Sequence, residues 1–200
     1  MISLLRDSAA HVFVDSIDAP TLSEVDAHHL LRVLRVKSRD SISISDGKGK
    51  WCAGVIDSDA VVEVTSEVFV VPAPKWALTV AFSVVKGDRP EWTVQKLTEL
   101  GIDEIVLLAP TSRSVVRWDA GRADKNLERL RSVAREASMQ SRRVWLPTID
   151  SGVALTQLSA AFIADPNGVA LDASHRTLAI GPEGVFADDE LNAGQGLVSL

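Results

Sequence analysis

The chain has 200 residues and a hydrophobic share of 46%, enough for one core or two small ones. Its net charge of −6 argues against broad affinity for nucleic acids, because lysine and arginine contacts to phosphates dominate that binding. No apolar run is long enough to cross a membrane or to form a signal-peptide core. The single cysteine, Cys52, excludes an internal disulfide framework and fits a reducing compartment, so we expect a cytoplasmic protein.

Residues 11–71 are predicted to form short β-strands. Residues 42–45 alternate strictly between isoleucine and serine, residues 46–49 (Asp-Gly-Lys-Gly) form a turn signal, and residues 51–56 supply the returning strand. Further strands are predicted at residues 12–14, 61–64 and 68–71. Several short strands in so few residues indicate a small barrel.

One short helix interrupts these strands, and basic residues cluster around it. Ser23 can cap a turn that leads into residues 28–35, where Arg32 and Arg35 are three apart and should share a helix face. A solvated face would need no function, but the grouping with other cations favours phosphate contact. The residues predicted to bind RNA here are His29, Arg32, Arg35, Lys37, Lys48 and Lys50. Adjacent His28 and His29 point to different sides of a helix, so we predict no metal site.

The pattern changes after a stiff linker at residues 71–74 (Val-Pro-Ala-Pro). A strand is predicted at residues 76–85, then a helix at 91–100 that Asp88 can cap and Gly101 ends. Residues 105–109 are continuously apolar, as in a parallel strand that is covered on both faces. We therefore predict a βαβ unit.

A long helix is predicted at residues 123–140. Leu127, Leu130, Ala134 and Ala137 recur at helical spacing and should form its buried stripe. Glu136 and Gln140 lie at the edge of that stripe, where they either point into a cleft or belong to an ordinary surface turn. Strands at residues 144–146, 162–166, 178–180 and 197–200, with a helix at 153–161, would complete a sheet of about six strands. Because no covering helix follows the last strand, we expect the sequence to be part of a longer chain.

Residues 181–184 (Gly-Pro-Glu-Gly) follow a predicted apolar strand and force a sharp loop, and Asp188 is a possible cap of the next helix. Open α/β sheets bind ligands at such strand ends, although many such loops are only turns. The chain has neither a Gly-x-Gly-x-x-Gly motif after its first strand nor a Gly-Lys-Ser/Thr loop, which excludes Rossmann and P-loop interpretations.

Four stretches occur in the order found in one known family: residues 29–35, 94–101, 136–143 and 178–184. In these stretches the chain resembles the RsmE-type 16S (small-subunit) ribosomal RNA uridine-N3 methyltransferases of the SPOUT class. The resemblance implies an α/β protein with a PUA-like RNA-binding β-barrel over residues 1–71. A SPOUT trefoil-knot methyltransferase domain would cover residues 72–200, with the end of the knot segment missing.

The resemblance also implies S-adenosylmethionine as cofactor, a homodimer with active sites at the subunit interface, and 16S ribosomal RNA or the small ribosomal subunit as partner. The implied cofactor-binding residues are Asp165, Pro166, Leu178, Ile180, Gly181, Pro182, Glu183, Gly184 and Leu200. Glu136, Gln140 and Arg142 are the catalytic candidates on the uridine side, and Arg113 and Arg143 join the predicted RNA-binding set.

The chemistry requires alignment and deprotonation, because uracil N3 carries a proton while the sulfonium methyl is already activated. An alternative is a non-catalytic RNA-binding or ribosome-assembly factor of the same architecture. It is motivated by Val185, which stands where the family usually has a second glycine, and by the expected missing tail.

Overall fold

The computed structural model describes residues 2–182 and 186–200. It divides into two compact units. The N-terminal unit comprises Met1–Pro74 and Arg135–Leu146, and the C-terminal unit comprises Lys75–Ala134 and Pro147–Leu200. The division of function between residues 1–71 and 72–200 stays a prediction.

The N-terminal unit is built on a five-stranded sheet. Its elements are α1 (Ile2–Asp7), β1 (Ala10–Phe13), α2 (Glu24–His28), β2 (Ser41–Ser45), β3 (Lys50–Ile56), β4 (Val62–Val64) and β5 (Phe69–Val70). The strand order is β1-β2-β3-β4, with β5 also pairing with β3, and only the β1–β2 pair is parallel. The predicted β2–β3 hairpin is confirmed, and Asp46 Oδ1 stabilises its turn by accepting the N–H groups of Lys48 and Lys50 at 2.7 and 3.0 Å.

The alternation in β2 separates an apolar face from a polar face, and both faces are buried. Ile42 and Ile44 pack in the apolar core with residues such as Val12 and Leu30. Ser43 and Ser45 face hydrogen-bonding partners on the other side. Buried hydroxyl groups are tolerated there because they find such partners.

The predicted helix begins as expected and ends differently. Ser23 Oγ accepts the Asp26 N–H at 3.1 Å, which confirms the cap. The helix then widens into a π-helical turn at His29–Val33, and Arg35 lies beyond its end with a φ of 55°. The prediction that Arg32 and Arg35 share a helix face is therefore wrong, because the chain leaves the helix before Arg35.

The C-terminal unit has a parallel six-stranded sheet, and the predicted βαβ unit is confirmed. The strand order is β11-β9-β10-β6-β7-β8. Its elements are β6 (Thr79–Ser83), α3 (Arg89–Leu100), β7 (Glu104–Leu108), α4 (Ala120–Ser141, which continues into the N-terminal unit), β8 (Thr148–Val153), β9 (Ala161–Ala170), β10 (Thr177–Ile180), α5 (Asp188–Leu191) and β11 (Gly196–Ser199).

Apolar clusters cover both faces of this sheet. Phe82 and Leu107 pack with residues of α3 and α4 on one face, and Ala81 and Ala179 belong to the cluster on the other. The predicted stripe of α4 is confirmed, since Leu130, Ala134 and Ala137 are buried. Gly101 ends α3 in the left-handed conformation as expected. Asp88 occupies the N-cap position of α3, but its side chain makes no capping hydrogen bond, so that prediction is wrong.

Two predictions after α4 are wrong. Trp145 makes only an isolated bridge with Lys48, and the strand expected at residues 144–146 is β8, further along the chain. The helix expected at residues 153–161 is only a short 3₁₀ turn at Leu155–Gln157. Gln157 Oε1 accepts the Ala154 N–H at 2.8 Å, and Ala160 has a φ of 54°, so the chain turns directly into β9.

The chain also differs from expectation at two loop ends. It does not end its strand at Asp165-Pro166, because β9 runs on to Ala170. However, β11 pairs with Ile163 and then with Val169, so residues 164–168 are passed over by the ladder. Asp188 is the first residue of α5 rather than its cap, because Ala187 holds the cap position. Across residues 2–182 and 186–200, no helix combines the length and apolar character needed to span a bilayer.

Candidate functional site

The parallel strands β6 and β10 end side by side at the centre of the C-terminal sheet, and the ladder between β9 and β10 stops beside them. Ile180 of β10 pairs with Phe82 of β6, which places Ser83 beside Gly181. Ala179 pairs with Ile163 of β9, so Asp165 follows on the other side of Gly181. The carboxyl end of a strand flanked in this way is the usual place for a ligand in a parallel α/β sheet.

Gly181 has no space for a side chain. A Cβ atom at this position would lie 2.9 Å from the ring of Phe186, which is itself only 2% exposed. Pro182 is buried next to it. The backbone at Gly181 is thus fixed by packing and left uncovered by any side chain of its own. Glu183, Gly184 and Val185 lie outside the described residues.

Ser83 is a buried polar residue that sequence reasoning missed. Its side chain is 3% exposed, and within residues 2–182 and 186–200 its Oγ has no hydrogen-bond partner. An unsatisfied buried hydroxyl is costly, so one at a strand end beside a ligand-binding loop points to a missing polar partner. In the sequence, Ser83 is only a serine at the end of an apolar strand, and such a serine does not by itself indicate a binding site.

The loop after β7 is tied to the segment that follows the undescribed residues. Glu190 accepts the Ser112 N–H at 2.9 Å and the Ala187 N–H at 2.8 Å, and Arg113 donates to the Phe186 carbonyl at 3.4 Å. Burial acts to raise the pKa of Glu190, but these N–H groups and the charge of Arg113 outweigh it, so the pKa is lowered. Glu190 thereby positions Arg113, a predicted RNA-binding residue, at the carboxyl edge.

The remaining predicted cofactor residues are spread across the sheet. Leu178 lies inside β10, paired with Val80 and Phe162. Leu200 follows β11, which is separated from β10 by β9, and it is 76% exposed. The structure therefore brings Ile180, Gly181 and Pro182 together at the end of β10 and leaves Leu200 on an outer strand. Asp165 lies two residues past the end of the β9–β10 ladder, and its Oδ1 accepts the Asn167 N–H at 2.8 Å.

The predicted RNA-binding residues of the N-terminal unit fall into two groups. Arg35 and Lys37 precede β2, whereas Lys48 and Lys50 lie at the turn after it. A strand of this length separates its ends by roughly 14 Å. Arg32 and these four residues are all exposed, and His29 is partly buried.

Arg142 and Arg143 follow α4 and are held by the buried interior of the N-terminal unit. Arg142, with a φ of 54°, donates to the Ser8 carbonyl at 2.6 Å. His11 donates from Nε2 to the Arg143 carbonyl at 3.0 Å and contacts Ser43 Oγ through Nδ1 at 2.8 Å. Sequence reasoning missed His11, because one histidine in a buried strand is usually only a core residue.

Burial lowers the pKa of His11 to about 4, the charge of Arg142 adds to this, and the hydrogen bond to Arg143 opposes it. His11 is therefore neutral at physiological pH and carries its proton on Nε2. This tautomer is the one that can donate to the Arg143 carbonyl. Glu136 and Gln140, by contrast, are exposed on α4.

Among the described residues, histidine, cysteine and carboxylate side chains form no group that could hold a metal ion.

Family models match both parts of the chain. An RNA methyltransferase domain matches residues 72–197, and an RNA methyltransferase PUA domain matches residues 22–62. Ribosomal RNA small subunit methyltransferase E of Mycobacterium bovis is 28% identical, over 90% of this chain and 78% of that protein. These matches confirm the resemblance seen in the four motifs.

Solved structures show the same fold. The chain is similar to a probable rRNA-methyltransferase from Porphyromonas gingivalis, with 26% identity, a TM-score of 0.72, and coverage of 95% of this chain and 88% of the other. A ribosomal RNA small subunit methyltransferase E from Neisseria gonorrhoeae, solved bound to S-adenosyl methionine, is 24% identical with a TM-score of 0.71, covering 96% and 88%. The PUA and SPOUT-type α/β architecture is thus confirmed, and the chain belongs to the RNA methyltransferase family.

Proposed function

We propose that this protein methylates uridine N3 in 16S ribosomal RNA with S-adenosylmethionine as donor, as a cytoplasmic homodimer. The family match over residues 72–197 carries the proposal. Similarity to the Mycobacterium bovis enzyme supports small-subunit ribosomal RNA as the substrate class, and the Neisseria structure, solved with S-adenosyl methionine bound, supports the donor. The choice of uridine N3 rests on the ordered motifs of the sequence.

The residues at the centre of the C-terminal sheet fit the donor. Ser83 supplies a buried hydroxyl that needs a polar partner, and Gly181, whose Cβ position is occupied by the Phe186 ring, supplies a backbone that packing fixes at the strand end. Asp165, on the other side of Gly181, is placed to accept hydroxyl groups of a ribose. Glu183, Gly184, Leu178, Pro166 and Leu200 complete the proposed donor-binding set.

When bound, S-adenosylmethionine supplies a methyl group whose bond to sulfur breaks, with the electron pair remaining on sulfur, as the bond to N3 forms. The residues of this chain then have two tasks, alignment and removal of the N3 proton. We assign proton removal to Glu136, with Gln140 one helical turn away to orient the base. Both are exposed on α4, which suits a site that a second subunit completes.

Arg142 is proposed to stabilise the uracil anion that forms when the proton leaves. Its guanidinium is oriented by donating to the Ser8 carbonyl at 2.6 Å, and His11 fixes the next residue through the Arg143 carbonyl. The basic residues of the N-terminal unit, with Arg113 and Arg143, are proposed to contact RNA phosphates. Arg35 with Lys37, and Lys48 with Lys50, form two separate cationic groups at the two ends of β2. This spacing suits contacts to several phosphates of an extended RNA strand better than contacts to a single phosphate.

Tritiated methyl transfer to ribosomal RNA tests the proposal, with mass spectrometry of the digested RNA to locate the methyl group. We expect incorporation as N3-methyluridine. A folded protein that transfers no methyl group to free RNA or to small subunits would contradict the proposal. Calorimetry of S-adenosylmethionine binding tests the alternative of a non-catalytic RNA-binding factor. A dissociation constant in the micromolar range would argue against that alternative. Light scattering tests the homodimer.

A further inference from the structure

Two neighbouring cavities of the C-terminal unit share Val116 and Trp118 in their walls. The first, of about 290 Å³, lies at the carboxyl ends of β6, β7 and β8 and is called the strand-end cavity. The second, of about 360 Å³, lies over the beginning of α3 and the first half of α4 and is called the helix cavity. A ligand that passes Trp118 would therefore reach both.

The strand-end cavity has the walls of a site for a flat ring. Most of its lining is apolar or aromatic: Val84, Leu107, Leu108, Pro110, Val116 and Trp118. The polar side chains in this lining are those of Ser114, Asp124 and Ser151. The hydroxyl of Ser114 is fixed because its Oγ accepts the Thr111 N–H at 2.8 Å. Apolar walls with a few placed polar groups are typical of small-molecule sites.

Gly152 adds backbone groups to the same cavity. The β7–β8 ladder pairs Leu107 with Ser151 and then Leu108 with Val153, so Gly152 is passed over. Its φ is 75°, and a Cβ atom there would meet nothing within 4 Å. A bulge of this kind frees backbone groups from the ladder, and bulges are common beside active sites. The edge of a base can therefore bond to backbone at this position.

The size and place of this cavity favour the methyl acceptor over the donor. A volume of about 290 Å³ is at the lower limit of ligand sites, roughly 300–1,000 Å³, which suits a single-ring base better than a whole cofactor. Val84 in its wall follows Ser83, which lies beside Gly181. Because neighbouring strands are about 4.8 Å apart, a base held here is close to a donor held at Gly181.

The helix cavity carries the charges that a phosphate needs. Lys86 and Arg129 both line it, and Glu91 is the acidic residue in the same lining. Glu91 pairs with Arg129 at 3.1 Å, so the balance of these three groups is positive. Lys86 belongs to the open loop before α3, where Gly87 has nothing near it. A ribose phosphate that passes Trp118 would meet this charge.

We propose that the strand-end cavity binds the target uracil of unpaired RNA, stacked on Trp118, with a flanking phosphate in the helix cavity at Lys86. The inference rests on the proposed function for the identity of the base. The observations that carry it are the paired cavities, the bulge at Gly152 and the adjacent place of Gly181.

Binding of uridine monophosphate, followed through the indole N–H signals in NMR, tests the site without any methyl transfer. We expect the Trp118 signal to shift, and Trp118→Ala to weaken binding roughly ten-fold. Trp118→Phe should retain most of the affinity, because it keeps a stacking surface. Trp76→Ala is the matched control, since Trp76 lies before the amino end of β6, whereas the strand-end cavity lies at the carboxyl ends of the strands.

Two further variants separate the parts of the site. Ala123→Leu places a larger side chain in the strand-end cavity and should block the binding of uridine monophosphate. Because leucine is a good helix former, α4 should tolerate it, so this variant tests the site even if Trp118→Ala fails to fold. Lys86→Gln should weaken uridine monophosphate while leaving uridine, which has no phosphate, unchanged.

The outcomes distinguish this inference from the proposed function. If S-adenosylmethionine rather than uridine monophosphate shifts the Trp118 signal, the cavity belongs to the donor and the inference is overturned. Methylation of ribosomal RNA by a Trp118→Ala variant at the normal rate would also overturn it, while the proposed function would stand. Uridine monophosphate binding at Trp118 without any methyl transfer would support the site and count against the proposed function.

Discussion

The two units differ in how most of their buried polar groups are bonded, although Ser138 in the first unit and Ser83 in the second both have a buried hydroxyl with no hydrogen-bond partner among the described residues. In the N-terminal unit, Asp26 is held by Arg135 through two hydrogen bonds of 2.7 and 2.9 Å, and His11 bonds on both sides of its ring. In the C-terminal unit, Ser83 ends a central strand with its hydroxyl unsatisfied among the described residues, and cavities line the same sheet edge. The bonded groups of the first unit stabilise its fold, and we propose that the Ser83 hydroxyl, which lies at a sheet end with cavities, is left for a ligand.

The contrast distinguishes charged side chains that stabilise the fold from charged side chains that we propose bind a ligand. Arg135 stood among other arginines of a helix, yet its guanidinium is committed to Asp26, the Phe13 carbonyl and the Phe13 ring. The groups that we propose for ligand binding are instead exposed cations and the backbone at Gly181 and Gly152. We expect changes at Arg135 and His11 to appear as lost stability and changes at Gly181 as lost binding.

Donor binding should respond most strongly to mutation. Gly181→Val places a branched side chain where even one Cβ atom would lie 2.9 Å from the Phe186 ring. We expect loss of S-adenosylmethionine binding by at least about a hundred-fold in calorimetry, which is about 2.7 kcal/mol. Gly121→Ala is the control, because a Cβ atom there meets only an ordinary contact at 3.7 Å. Normal donor affinity in Gly181→Val would remove Gly181 from the site.

Breaking the buried ion pair should cost stability rather than binding. Arg135→Met leaves the Asp26 carboxylate, with 6% of its side chain exposed, without its partner. We expect the free energy of unfolding in urea to fall by about 3 kcal/mol. The matched control is Arg39→Met, whose pair with Glu63 is 74% and 67% exposed and should change stability by less than about 1 kcal/mol. Equal effects of the two variants would refute the contrast.

His11 predicts a pH dependence of the stability. Its pKa falls from 6.5 in the unfolded chain to about 4 in the folded protein, so between these values the unfolded state binds more protons. Stability is thus complete above pH 6.5 and declines as pH falls towards 4. The expected loss is about 3 kcal/mol. Urea titrations across this range measure it, and His11→Gln should flatten that part of the profile. An unchanged profile in the variant would assign the decline to other groups.

Local periodicity predicted the elements that carry the sheet. The isoleucines of β2, the apolar run of β7 and the stripe of α4 each follow from side-chain spacing alone, and Ser23 and Gly101 mark real helix ends. The ordered motifs also identified the family. What spacing missed was the segment after α4, where Gln157 closes a single turn and Ala160 adopts a left-handed conformation that alanine rarely takes.

The candidate site was only partly predictable for a related reason. Gly181 follows a strand end in recognisable sequence, whereas Ser83 matters only because the pairing of β6 with β10 places it beside Gly181. His11 acts on Arg143 across a sequence separation of 132 residues. Partners brought together by tertiary packing leave no pattern in either segment.

The smallest predicted effect on stability is that of Glu190→Gln, at the carboxyl edge of the C-terminal sheet. Glu190→Gln replaces the carboxylate that accepts the Ser112 and Ala187 N–H groups by a weaker acceptor. Because hydrogen bonds favour the charged form of Glu190 and lower its pKa, the stabilisation exists at neutral pH and is lost as pH falls through that lowered pKa. We expect less than about 1 kcal/mol in global unfolding. Hydrogen exchange at the two N–H groups should instead accelerate by roughly ten-fold. Asp189→Asn removes the same charge from the same helical turn, so equal acceleration there would mean that net charge, rather than the hydrogen bonds of Glu190, protects these two N–H groups.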